Sequence, residues 1–266
     1  MDTNIVDVAR RILADRVSGS TTLVKRLLNA LIEMKPTPEE ASLALKTIST
    51  SVKHMVILRN VATTCLRLIE RGVTPNEAAE RMLEELNRST EVCVEVGVER
   101  LGNHERFLTL SNSDQLLKLF TALNPTTVYI LESRPGGEGT ILAQAIKKQG
   151  KPAIVAPDLS AHILCRRVDC VVVGTDAVYE QGFVNKLGTG LLTHLCVANS
   201  KPVYAITTKW KVAIANKDMK TTVRNRYNSV FEWVDCGQLS SYITELGVLE
   251  PSVAYTRLLK ELKATG

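Results

Sequence analysis

From Glu105 onward the sequence repeats one unit: a short apolar run rich in β-branched residues, a polar or glycine-rich loop, then a helical stretch. The runs fall at 107–110, 128–131, 153–156, 168–173 and 203–206. Runs this short and apolar have no polar face, so each must be covered on both sides. Strands separated by helices meet that demand as parallel neighbours in one sheet, with helices packed over it. The polar part of the pattern lies in the loops. They read Ser111-Asn112-Ser113, Glu132-Ser133-Arg134-Pro135-Gly136-Gly137-Glu138-Gly139, Gly174-Thr175-Asp176 and Thr207-Thr208-Lys209-Trp210-Lys211. Open α/β sheets bind ligands where strand carboxyl ends meet such loops, so a crevice along that edge is expected. The densest part is 168–189, where the run stops at Gly174 and Asp176 follows. A loop with Gly182, Asn185, Lys186, Gly188 and Thr189 is expected next, entering a helix near Leu187. A carboxylate, an amide and an ammonium together suit a polyhydroxylated, phosphorylated small molecule.

The first hundred residues read instead as helices. Val6, Ala9, Ile12 and Leu13 keep helical spacing, and Leu23, Leu27, Leu28, Leu31 and Ile32 mark the face of a second helix. Thr37-Pro38-Glu39-Glu40 and Thr74-Pro75-Asn76-Glu77 each place Thr at a cap, Pro first and Glu third, the pattern of a capping box. The expected architecture is α/β: a helical amino-terminal domain over 1–103 and a domain with a mainly parallel sheet over 104–266. The tail from Asn228 carries aromatics and a final helix, expected to cover the sheet or another subunit.

Composition narrows the function classes. A net charge of +5 permits anionic ligands, but no Lys/Arg run marks a nucleic-acid arm, and no direct nucleic-acid contact is expected. The six cysteines include no Cys-x-x-Cys pair and no histidine at ligand spacing, which argues against zinc and against a disulfide framework. The acidic start and the lack of a membrane-length apolar run point to a cytoplasmic protein with no membrane partner. Neither glycine pattern for dinucleotides or nucleoside triphosphates is present, and no cofactor or metal is expected.

Taken singly, the candidate groups stay ambiguous. Asp176 is a general acid or a turn residue bonding its own backbone, and composition alone favours the turn. Asn185-Lys186 holds a ligand or caps a helix. Ser18-Gly19-Ser20-Thr21 opens a helix whose free N–H groups attract phosphate, or is an ordinary cap. Arg134, held extended before Pro135, aims into a site or faces water. Arg59 and Lys211 divide the same way. His54, His104, His162 and His194 are assigned to packing or surface.

Together these segments resemble the family that contains the alpha, beta and delta regulatory subunits of eukaryotic translation initiation factor 2B, ribose-1,5-bisphosphate isomerase and methylthioribose-1-phosphate isomerase. The resemblance rests on Ser18-Gly19-Ser20, Leu108-Thr109 leading to Ser111-Asn112-Ser113, and Glu132-Ser133-Arg134-Pro135. It continues through Gly174-Thr175-Asp176, Gly182 with Asn185-Lys186-Leu187-Gly188-Thr189, and Leu246-Gly247-Val248-Leu249 with Pro251. It implies a helical front on a Rossmann-like carboxyl-terminal domain, a sugar-phosphate crevice between them, and association as homodimers or higher homo-oligomers. The family's isomerases use a cysteine and an aspartate as their proton-handling pair. Asp176 matches the aspartate, and Ser111 stands where the cysteine would be. The phosphate-binding positions are matched by Ser18, Gly19, Ser20, Thr21, Arg59, Arg134, Asn185, Lys186 and Lys211, and Ser113 joins the ligand-binding set. Asp114 falls where many relatives carry Lys or Arg, so an anion replaces a cation.

A cysteine titrates near ~8.5, but a serine hydroxyl does not exchange protons usefully at neutral pH without an adjacent base. His104 is the one histidine that could approach Ser111 in space. Losing one acid–base partner costs roughly 10²–10⁴ in rate. Two readings follow. The first is a regulatory or scaffolding subunit that binds a phosphorylated sugar or nucleotide without efficient catalysis, with a translation factor as partner. The second is an aldose–ketose phosphate isomerase with Asp176 as acid. A Rossmann oxidoreductase is a distant third because the glycine fingerprint is missing.

Overall fold

The computed structural model describes residues 4–15, 19–51, 55–214 and 230–265. Five helices come first: α1 (Ile5–Ala14), α2 (Ser20–Met34), α3 (Pro38–Ser51), α4 (Val56–Glu70) and α5 (Pro75–Leu101). The strands begin with β1 (Arg106–Leu110), followed by α6 (Asp114–Ala122), β2 (Thr127–Leu131), α7 (Glu138–Lys148), β3 (Ala153–Ala156) and the short α8 (Ala161–Leu164). Next come β4 (Cys170–Val173), β5 (Ala177–Tyr179), β6 (Gly182–Lys186), α9 (Thr189–Ala198) and β7 (Val203–Ile206). A 3-10 turn, Lys209–Lys211, precedes β8 (Phe231–Asp235), β9 (Ser241–Thr244), β10 (Gly247–Leu249) and α10 (Pro251–Ala264).

Local chemistry accounts for several of these boundaries. Asn4 caps α1 by accepting from the Asp7 N–H at 2.9 Å. At α3 the capping box closes both ways: the Thr37 N–H donates to Glu40 at 2.9 Å, and the Glu40 N–H donates to the Thr37 hydroxyl at 3.3 Å. The matching box at α5 does not form, since the Thr74 side chain makes no capping bond. Its would-be partner Glu77 is engaged by Arg81 at 2.6 Å, one helical turn on.

Seven strands form one sheet in the order β10-β9-β7-β4-β1-β2-β3, parallel except for the β9–β10 hairpin. Period two sorts the side chains. Leu108, Leu110, Val171 and Val173 join a core shared with the amino-terminal helices, α8, α9 and α10. Phe107, Val128, Cys170 and Val172 face a second core against the end of α5, α6 and α7. The chain runs outward from β1 to β3, then returns to β4 on the other side of β1. The sheet's switch point therefore lies between β1 and β4, where a ligand crevice belongs in such sheets.

Two expectations are corrected. Residues Gly182–Lys186 are not a loop but β6, in a three-stranded antiparallel sheet ordered β5-β6-β8. A side chain at Gly182 would lie 2.3 Å from the Val234 carbonyl oxygen, so only glycine lets β8 approach. A disulfide also joins Cys165 to Cys196, with Cα atoms 5.2 Å apart, linking the end of α8 to α9. No described helix is long and apolar enough to cross a membrane.

The turn Lys209–Lys211 is where helices and sheet are joined. Buried Asn60 of α4 donates through Nδ2 to the Trp210 and Val212 carbonyls at 3.0 and 2.9 Å. Trp210, fully buried, donates to Ser89 of α5 at 3.3 Å. Lys209 donates its N–H to Glu245 at 2.9 Å and its ammonium to Glu85 at 2.8 Å. Tyr255 of α10 donates to the Ala213 carbonyl at 3.0 Å. Asn60→Leu strands two buried carbonyls, each worth about 1–3 kcal/mol when unpaired. Thermal unfolding should show Tm lowered by roughly 5–10 °C, and an unchanged Tm would contradict the role given to Asn60.

Burial pushes the Glu245 carboxyl up to about 7, with Glu261 adding to the rise and Lys209 opposing it. Its folded value exceeds its unfolded one, so the native state holds the extra proton. The stability it contributes is therefore complete below its ordinary carboxylate value and is lost as pH rises through about 7. Denaturant titrations from pH 5 to 8 should show stability falling over that window. Glu245→Gln should flatten the slope, and parallel slopes would refute the assignment.

Candidate functional site

Ser111 follows β1 in left-handed backbone, φ 66°, and Ser133 lies two residues past β2 at φ 65°. Non-glycine residues seldom adopt this conformation, and here a chain of bonds holds both. The Ser111 N–H donates to the Ser133 hydroxyl oxygen at 2.6 Å. The carboxylate of Asp158, beyond β3, accepts from the Ser133 and Arg134 N–H groups at 2.7 and 2.8 Å. Three neighbouring strand ends are thus laced together. Across the switch point, Gly174 follows β4 and lies close to Ser113, whose Oγ would be 3.3 Å from a side chain there. The loops carrying Ser111 and Asp176 leave adjacent strands at the same sheet edge.

Asp176 begins the excursion into β5, its N–H donating to the Val184 carbonyl at 2.8 Å. Burial raises its carboxyl above the usual carboxylate range, against the pull of Lys211 and Lys186. Burial likewise lowers the Lys211 ammonium, against Asp176. Opposed shifts of this kind draw both groups toward proton exchange, a property of sites that move protons. The Lys211 ammonium donates to the Thr175 carbonyl at 2.7 Å and to Gln115 Oε1 at 2.9 Å. Lys186, also buried, donates to Glu138 at 2.6 Å. Asn185 donates to the Thr189 hydroxyl at 2.9 Å, and that hydroxyl donates to the Lys186 carbonyl at 2.6 Å.

From the helical side, α2 opens at Gly19 with no side chain among the described residues capping its N–H groups. Thr21 lines a narrow cleft with Lys25, Asp114, Gln115, Lys118, Thr208 and Lys211. Its interior, about 30 Å³, is large enough for little more than a water. Ser20 is half-buried at the start of α2, and Ser18 lies outside the described residues, as does His54.

Asp176, Lys186 and Lys211 therefore meet, with Asn185 beside them and Ser111 and Ser113 on the neighbouring loop. Two arginines are placed differently. Arg134 is 70% exposed and pairs with Glu132 at 3.2 Å. Arg59 faces Tyr179 of β5, whose hydroxyl burial pushes up to about 12, and its Nη2 is buried without a hydrogen-bond partner. Asp114 is not the bare anion expected: Lys25 and Lys118 lie 3.6 and 4.0 Å away, a weak pairing at this exposure. His104 sits before β1 against Phe107 and Tyr204, roughly a strand length (~16 Å) from Ser111, and is no base for it. Sequence reasoning missed Gln115, Glu138, Asp158, Lys25 and Lys118. For Gln115, Glu138 and Asp158 only a position at a helix start or past a strand end could have flagged them, and Lys25 and Lys118, inside α2 and α6, carried no such signal. Among the described residues, no group of three or more His, Cys, Asp or Glu side chains is placed to hold a metal ion.

Comparison with known proteins fits this geometry. A Pyrococcus abyssi protein named as a translation initiation factor eIF-2B subunit 2-like is 26% identical, covering 93% of this chain and 96% of that protein. The ribose 1,5-bisphosphate isomerase of Archaeoglobus fulgidus is 21% identical over 98% of this chain and 95% of its own. The crystal structure of the Pyrococcus horikoshii translation initiation factor eIF-2B superposes with a TM-score of 0.79 at 21% identity, covering 93% and 97% of the two chains, a likeness of fold. The model of the Initiation factor 2 subunit family matches residues 3–251, and the chain belongs to that family.

Proposed function

We propose that this chain is a regulatory or scaffolding member of its family that holds a phosphorylated sugar or nucleotide between the start of α2 and the carboxyl edge of the sheet, without turning it over efficiently. The observation that carries the reading is Ser111. Among the described residues no base is hydrogen-bonded to its hydroxyl, so it cannot replace a thiol in proton transfer. Support for an anionic ligand comes from the buried ammonium groups of Lys186 and Lys211 and from the uncapped N–H groups of α2. Exposed apolar side chains on and beside α8 and α9 support association with further subunits. They are Leu159, Ile163, Leu191 and Val197, between 45% and 83% exposed.

The raised carboxyl of Asp176 favours a second reading, an isomerase with Asp176 as its acid. A thermal-shift screen of pentose phosphates, bisphosphates and nucleotides, with an isomerase assay on every hit, separates the two. Stabilisation by a phosphorylated sugar with background turnover of ribose 1,5-bisphosphate is expected. Efficient turnover by the pure protein would overturn the regulatory reading. Ser111→Cys should then raise turnover by roughly 10²–10⁴, the worth of one acid–base partner, while Ser111→Ala should leave it at background.

A further inference from the structure

Beside the two lysines that act on Asp176 lie two buried polar atoms of opposite sense, neither with a hydrogen-bond partner among the described residues. Gln115 Nε2 is a donor beside Lys211, and Glu138 Oε2 is an acceptor beside Lys186. Gln115 is 6% exposed, and its Oε1 is already taken by Lys211. An unpaired donor next to an ammonium calls for an acceptor, preferably charged. An unpaired carboxylate oxygen calls for an O–H or N–H, and repels a second anion. We propose that Glu138 is a specificity-determining residue, selecting a ligand with one phosphoryl group at the Lys211–Gln115 end and a hydroxyl at the Lys186–Glu138 end. The inference rests on the phosphorylated-sugar reading and adds to it the polarity of the ligand and the number of its phosphates.

The placement of Glu138 is built into the chain. It opens α7, and both carboxylate oxygens lie 2.6 Å from where a side chain at Gly136 would begin, so glycine there leaves the space the carboxylate fills. From that space Oε1 reaches the Lys186 ammonium, whose side chain is only 4% exposed. The charge of Lys186 is thereby met within the protein, whereas Lys211 is held by two neutral acceptors, Thr175 O and Gln115 Oε1. Asp176 lies within electrostatic reach of both lysines. Glu138 balances Lys186, whereas at the other end Lys211, Lys25 and Lys118 stand against only Asp176 and Asp114, which leaves the excess of positive charge there.

Isothermal titration of the full chain with ribose 5-phosphate and with ribose 1,5-bisphosphate tests this. The unmodified protein should bind the monophosphate at least tenfold more tightly than the bisphosphate. Glu138→Gln keeps the shape, removes the anion and frees Lys186, and should shift that ratio at least tenfold toward the bisphosphate. Gly136→Ala, which displaces the carboxylate by crowding, should shift it the same way. An unmodified protein that prefers the bisphosphate, or a ratio unmoved in Glu138→Gln, overturns the role of Glu138 while leaving the phosphate crevice standing. Binding of neither sugar by the unmodified protein overturns the crevice reading itself, and this inference with it.

Discussion

An ammonium taken out of water must bring acceptors and a countercharge with it, and Lys211 draws them from separate parts of the chain. The carbonyl of Thr175 comes from the end of β4, the amide oxygen of Gln115 from the first turn of α6, and the nearby negative charge from Asp176. Because α6 follows directly on the Ser111 loop, this one side chain ties together both loops of the switch point. Its own turn is anchored in turn by Asn60 of α4 and by Glu85 and Ser89 of α5. The helical front and the sheet edge therefore share this anchor, and the cleft lies beside it.

The parts of the fold decided locally were legible. The runs at 128–131, 153–156 and 203–206 became strands within a residue of their expected bounds, because an apolar β-branched run between loop signals leaves few alternatives. The Thr37 box formed because nothing else claims Glu40, whereas Arg81 captures Glu77. The small sheet was not legible, because β6 contains Asn185 and Lys186 and finds its partner β8 more than forty residues downstream. The Cys165–Cys196 pair is hidden for the same reason, with 31 residues between the two. In the site, Asp176, Lys186 and Lys211 could be named because the family resemblance marks their positions, not because any of them stands out alone. Gln115, Glu138 and Asp158 could not, since each matters only through a partner that folding brings near. Arg134 shows the converse: a well-signalled residue whose nearest carboxylate, Glu132, holds it at the surface.

Low dielectric strengthens these charges and leaves them sensitive. Asp176 and Lys211 are each drawn toward neutrality by burial and toward charge by the other. A carboxyl of this kind is what proton transfer at carbon needs on one side of a sugar, but the opposite side needs a group that gives and takes a proton at neutral pH. Ser111 offers a hydroxyl in a left-handed turn whose N–H is already committed to Ser133. On the proposed reading, one member of a proton-transfer pair is present without the other.

Every cation of that crevice already has a partner within the protein: Lys186 has Glu138, Lys211 has Gln115 and Thr175, Lys25 and Lys118 have Asp114. A ligand on the proposed reading joins or displaces these contacts rather than filling an empty charge. Joining is cheap at Gln115 and Glu138, where an unpaired atom waits, and displacement is costly at Thr175, whose carbonyl fixes the anchor lysine. The cleft, with about 30 Å³ of interior, must also widen to admit a sugar, and its walls are α2, α4, α5, α6 and the Lys211 turn. Those walls are the elements that join the helical front to the sheet. On the proposed reading, a ligand admitted there bears directly on the elements that join the helical front to the sheet.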